Sequence, residues 1–199
     1  RYPITVTAGF TWSEANTAAS SSSELAAAVA VAPANGATPL STLLPVSSSN
    51  GLGPVEIDAS NGGATERDGN LITIGGKVYT RGLGTHAPSR IGYYLGARCS
   101  SVTVDVGIDD EVGESPSAAF EVYADGVRIA ESGVLTGAAN ALTLTADETG
   151  ANLLELVTVA GATSTDAHAD WAAPTVYCGG VTTPTVVEQT LFSFEAGTE

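Results

Sequence analysis

Apolar residues in this chain recur at every second position over short stretches, and that period restricts the fold more than any other feature. In Ser101–Val106, Val102, Val104 and Val106 alternate with polar neighbours, the signature of a strand with one face in a core. Phe120 and Val122 repeat the pattern in Ala119–Ala124, and Leu142 and Leu144 repeat it again. Leu153–Val159 is more continuously apolar and suits a central strand. Asp125-Gly126 sits between Ala119–Ala124 and Val127–Glu131, where a two-residue hairpin turn needs positive φ at both positions. Gly75-Gly76 plays the same part between Leu71–Ile74 and Lys77–Thr80. With Pro174–Cys178 this makes about nine or ten short strands separated by turn signals. No stretch carries a convincing amphipathic-helix period. The expected fold class is all-β, an antiparallel β-sandwich.

The text changes along the chain. Residues 1–33 read as the tail of a preceding domain: Tyr2–Phe10 alternates, Ser13–Glu24 is Ser/Ala-rich, and Leu25–Ala32 suits a return strand. Residues 34–49 are rich in Pro, Ser, Thr and Ala and read as a linker. The sandwich itself is expected over 40–180. Residues 181–199 read as a second linker and the first strand of a following domain, at Leu191–Glu199. The first residue is not Met, so a piece of a longer polypeptide is expected. The orphan strands at either end offer neighbouring domains of that polypeptide, or another copy, an edge to pair with.

The net charge is −15, with 22 acidic and 7 basic residues. Phosphate backbones and anionic membrane surfaces need Lys and Arg, so nucleic acid is excluded as a partner. No apolar stretch reaches the roughly 18 residues that span a bilayer, so no membrane insertion is expected. Neutral ligands and cations remain. Cys99 and Cys178 have neither CxxC nor zinc-ribbon spacing. Both lie beside strand-like runs. If those strands adjoin, a disulfide forms and the chain is extracellular; otherwise both are buried thiols.

Three polar clusters lie at strand ends: Gly82–Pro88 with His86, Asp109-Asp110-Glu111, and His168–Trp171. An imidazole can hydrogen-bond a sugar hydroxyl or hold a loop. Adjacent carboxylates repel unless a cation or several donors hold them, so Asp109 and Glu111 are candidate ligands of a hard cation such as calcium, or caps of backbone amides. Trp171 can stack on a sugar ring or fill a core. No GxSxG elbow and no HExxH helix occur, and the two histidines are too few for a three-histidine zinc site. No catalytic residue is assigned.

Taken together, these motifs resemble the NPCBM family, carbohydrate-binding module family 51. The resemblance runs from about Leu40 to Cys178. It rests on Asn50-Gly51-Leu52-Gly53-Pro54-Val55-Glu56, Asp58-Ala59-Ser60-Asn61-Gly62, Asp68-Gly69-Asn70, Arg81–Pro88, Val106–Glu111, Val122–Gly126 and His168–Trp171. It implies a β-sandwich of jelly-roll type, a noncatalytic module of a secreted glycoside hydrolase, and binding of galactose-containing glycans. It also implies a structural calcium. His86, Asp109, Asp110, Asp170 and Trp171 are the expected carbohydrate-binding residues. Two positions depart from the pattern: the family commonly has Trp where Leu52 stands and Asp where Ala167 stands. The rival expectation is a structural spacer or extracellular assembly subunit with a degenerate sugar site.

Overall fold

The computed structural model describes residues 31–162 and 166–179, together with the backbone of Ile4–Val6 (β1) and Phe10–Trp12 (β2), which pair antiparallel. The expected strand at Leu25–Ala32 falls almost wholly outside the described residues, as do the second linker and the strand at Leu191–Glu199. The remaining strands are Gly36–Pro39 (β3), Ser47–Ser49 (β4), Glu56–Ile57 (β5), Thr73–Ile74 (β6), Lys77–Val78 (β7), Gly82–His86 (β8), Ser89–Tyr94 (β9), Cys99–Ile108 (β10), Ser117–Ala124 (β11), Val127–Thr136 (β12), Leu142–Asp147 (β13), Leu153–Ala160 (β14) and His168–Cys178 (β15).

All but β6 and β7, which pair as a separate hairpin, form two antiparallel sheets facing each other. A six-stranded sheet is ordered β13-β10-β15-β8-β5, with β3 also on β15. A five-stranded sheet is ordered β12-β11-β14-β9-β4. The alternation read from the sequence decides which side chains lie between them. Val102, Val104, Val106 and Ile108 of β10 meet Phe120 and Val122 of β11 and Leu154 and Leu156 of β14 in one core. Asp125 and Gly126 take positive φ in the β11–β12 hairpin, as expected. Residues 34–49 are not a linker: β3 pairs with β15 and β4 with β9. Their side chains are exposed or half-buried, so no alternation marks them. Backbone pairing at the sheets' borders holds them in place.

Trp171 ties the two layers together. It is fully buried, its ring meets Phe120 edge-on at 5.1 Å, and its indole N–H donates to Thr158 Oγ1 at 3.1 Å. Cys99 and Cys178 face each other across β10 and β15 and are disulfide-bonded. The bridge spans 79 positions of sequence, a closure that stabilises by about 4.5 kcal/mol on chain-entropy grounds.

A further segment, from β5 through the β6–β7 hairpin, lies over the outer face of the six-stranded sheet. Glycines make room for it. A Cβ on Gly84 would stand 2.3 Å from the Ala59 carbonyl oxygen, and one on Gly107 would stand 2.3 Å from Ile74 Cγ2. Ile72, Ile74 and Tyr79 of this cover close on Ala172 as a second small core.

Two outcomes follow. Trp171→Ala, which empties a buried indole site, is expected to cost about 3–5 kcal/mol in denaturant unfolding. Gly84→Ala is expected to cost about 1–3 kcal/mol, because its clash is with backbone rather than a flexible side chain.

Candidate functional site

β8, β10 and β15 end side by side, since His86 pairs with His168 and Ile108 with Ala169. This gathers all three polar clusters at one end of the sandwich. Within β15, alternation turns His168, Asp170 and Ala172 outward beneath the cover and turns Ala169 and Trp171 inward.

Asp109 starts the 3-10 turn Asp110–Val112, its Oδ1 accepting from the Glu111 N–H at 2.9 Å. Its Oδ2 accepts from the Thr73 N–H at 2.9 Å. Asp110 accepts from the Gly75 and Gly76 N–H groups, each at 2.8 Å. These two carboxylates therefore pin the β6–β7 hairpin to the sheet. Glu111 reaches the other way. Its Oε1 accepts from the Ser60 hydroxyl at 2.8 Å and lies 2.9 Å from His168 Nδ1, while its Oε2 accepts from the Asn70 amide at 2.7 Å. Burial alone would raise the Glu111 carboxyl, but the bonds from Asn70, His168 and Ser60 outweigh it and hold the group below the ordinary glutamate range. Glu111 and His168 keep 22% and 15% of their side chains exposed, so a ligand can reach the pair.

His86 lies edge-on to His168, with ring centroids 5.8 Å apart. Its backbone N–H donates to Asn50 Oδ1 at 2.8 Å, and its Nδ1 is 2.9 Å from the Ala87 carbonyl oxygen. Asn50 in turn donates to the Leu52 and Pro54 carbonyl oxygens, which shapes the loop that carries the half-exposed Leu52 side chain past this end.

The expected binding residues thus share one end but not one surface. Trp171 is corrected from sugar platform to core: its inward register leaves no ring face open. His86 and Asp109 are almost fully covered and Asp170 wholly so, and the carboxylates of Asp109 and Asp110 are occupied by backbone amides. The accessible groups are instead Glu111, His168, Asn70 and Leu52. His168 and Asn70 lie inside the recognised motifs, and period-2 alternation from Trp171 was the signal that sets His168 on the outer face.

The Asp109–Glu111 pair does not fit a calcium ion, because N–H and O–H donors or an imidazole already meet both carboxylates. Among the described residues, no three His, Cys, Asp or Glu side chains converge as a metal set. Asp170 differs. Neither of its oxygens meets an N–H or O–H donor among the described residues. Burial, and then the neighbouring Asp109 carboxyl, push it well above the ordinary aspartate range.

Comparison with known proteins agrees with this architecture. The NPCBM/NEW2 domain matches residues 36–177, from β3 to β15. A putative endo-alpha-N-acetylgalactosaminidase of Renibacterium salmoninarum is 40% identical over 144 residues, which are 72% of this chain but only 10% of that protein. The CBM51 of Clostridium perfringens GH95, solved in complex with methyl-galactose, superposes with a TM-score of 0.63 at 33% identity, over 70% of this chain and 99% of that one. CBM51-2 of Clostridium perfringens ZmpB, solved with INT domains and in complex with GlcNAc, gives 0.64 at 28% identity, over 70% and 31% of the two chains. With the family domain matched from β3 to β15, the chain belongs to the NPCBM/NEW2 family and carries a noncatalytic CBM51 β-sandwich.

Proposed function

We propose that this module binds a galactosyl group of a glycan at the end of the sandwich where Glu111, His168, Asn70 and Leu52 are exposed. The observation that carries the reading is the Glu111–His168 pair, held from behind by Ser60 and Asn70 and open at its outer edge. An ionised carboxylate accepts from sugar hydroxyls, an imidazole donates to or accepts from them, and Leu52 offers an apolar contact to ring C–H groups. The methyl-galactose complex of a module 33% identical to this one supports the choice of sugar. The N-acetylgalactosaminidase relative supports attachment to a secreted glycoside hydrolase, and the disulfide supports an extracellular setting. Among the described residues no helix is long and apolar enough to cross a membrane. Attached to such an enzyme, the module would hold it on its glycan by effective concentration, at modest affinity per site. A calcium ion in this module would rest on the Asp170 carboxylate, whose two oxygens are the orphaned ones, and would brace the cover rather than touch the sugar.

The rival reading is an architectural module with a degenerate site. Leu52 favours it, since an aliphatic side chain lacks the ring face that stacks on a pyranose.

Titration calorimetry with methyl-galactoside and galactosyl oligosaccharides decides between them. Binding is expected to be weak, to fall at least about tenfold in Glu111→Gln, the loss of one charge-assisted hydrogen bond, and to fade as pH drops through the lowered Glu111 titration. Leu52→Trp is expected to tighten binding by roughly 5- to 100-fold, by analogy with base–aromatic stacking of about 1–3 kcal/mol. No binding by either the parent or Leu52→Trp, with the sandwich intact, would leave the architectural reading. Calcium is expected to raise the melting temperature of the parent and not of Asp170→Asn.

A further inference from the structure

The opposite end of the sandwich holds a second buried acid that sugar binding does not use. β13 turns Leu144 and Ala146 inward, and the same alternation carries one step beyond the strand to Glu148, which is 2% exposed. Neither of its carboxyl oxygens has a hydrogen-bond partner among the described residues. The loop 147–153 around it fastens both sheets. Glu148 N–H donates to the Ser100 carbonyl oxygen at the start of β10. The Ala151 and Asn152 carbonyl oxygens accept from Ala97 and Leu95 in the β9–β10 turn, at 3.0 and 2.7 Å. Asn152 and Leu153 N–H groups donate to the Asp125 carboxylate in the β11–β12 turn.

A cleft of about 260 Å³ opens here, lined by Glu148 with Asp125, Ile129, Asp147 and Thr149 among others. The charged groups on the surrounding elements do not compensate the acid. Asp147 and Asp125 are carboxylates themselves. Arg98 of the β9–β10 turn directs its guanidinium to Asn35 Oδ1 at 2.9 Å. Ionising Glu148 therefore places an unpaired charge between the ends of the two sheets.

We infer that Glu148 makes the 147–153 loop a proton-operated clasp, closed over a neutral carboxyl in acid and loosened when that carboxyl ionises. Burial, and then the charge on Asp147, push the group up to about 7 from its ordinary 4.5. A carboxyl raised on folding keeps its proton longer in the folded state than in the unfolded one. Its contribution is thus whole below about 4.5, declines as pH rises, and is lost above about 7. Across that window the folded-to-unfolded ratio is expected to drop roughly 100-fold through this group.

The test is a ¹³C titration of the Glu148 carboxyl in the parent, with the Ala97, Ala151 and Asn152 amide shifts followed alongside, together with denaturant unfolding of the parent, Glu148→Gln and Glu148→Leu from pH 4 to 8. The carboxyl is expected to titrate near neutrality, with the three amides moving at the same midpoint. The stability gap between the parent and the variants is expected to change in the variants' favour over that window. Titration in the ordinary carboxylate range, stationary amides, or a gap that does not vary with pH would overturn the inference. Should neither variant fold, the titration in the parent decides alone.

Discussion

At Gly84 the carbonyl oxygen of Ala59 occupies space that any side chain would claim, and the rest of the site depends on that close approach. It lets the segment between β5 and β8 lie directly on the outer face of the six-stranded sheet. That segment brings Ser60 and Asn70 to Glu111, and it brings the amides of Thr73, Gly75 and Gly76 to Asp109 and Asp110. Asp170 pairs with Gly84 on one side and Gly107 on the other, so it lies in the trough that these glycines leave. The site is thus assembled from two surfaces, and backbone proximity sets their distance.

The chain's acidity has a structural use in this arrangement. Carboxylates of Glu56, Asp58, Asp109, Asp110 and Asp125 all accept from backbone N–H groups of loops and turns. A long loop on a sheet carries many such donors with no strand partner, and each would be costly to bury unmet. Acids meet this need better than bases can. The Lys and Arg ion pairs among the described residues, Lys77–Asp105, Arg81–Asp58, Arg90–Glu155 and Arg128 with Glu121 and Glu131, are half-open to water and contribute little each. The sandwich is held instead by its apolar core and by Trp171, which reaches from one sheet to Thr158 of the other.

Much of this was legible in the linear text, for a definite reason. Strands β10 and β11 bury one face, so period-2 patterning exposes them, continuous apolarity marks β14, and Asp125-Gly126 and Gly75-Gly76 announce the β11–β12 and β6–β7 hairpins. The disulfide needed only that the strands holding Cys99 and Cys178 adjoin, which they do. Strands β3 and β4 escaped notice because border strands held by backbone bonds leave no side-chain pattern. The site was harder to read. Whether Asp109 and Asp110 serve a ligand or cap amides depends on Thr73, Gly75 and Gly76, which no local motif places nearby. The orientation of Trp171 was within reach, because it follows from register with Val106 and from alternation along β15.

One consequence concerns the strand ends at the disulfide. Gly36 pairs with Cys178, which pairs in turn with Cys99, so the polypeptide arrives at β3 and departs from β15 about one strand spacing apart, roughly 5 Å. The tip that carries Glu111 and His168 lies at the far end of β10. A sandwich connected in this way takes in and releases its backbone at one end, so its bulk projects away from that end while the path through it advances by only about one strand spacing.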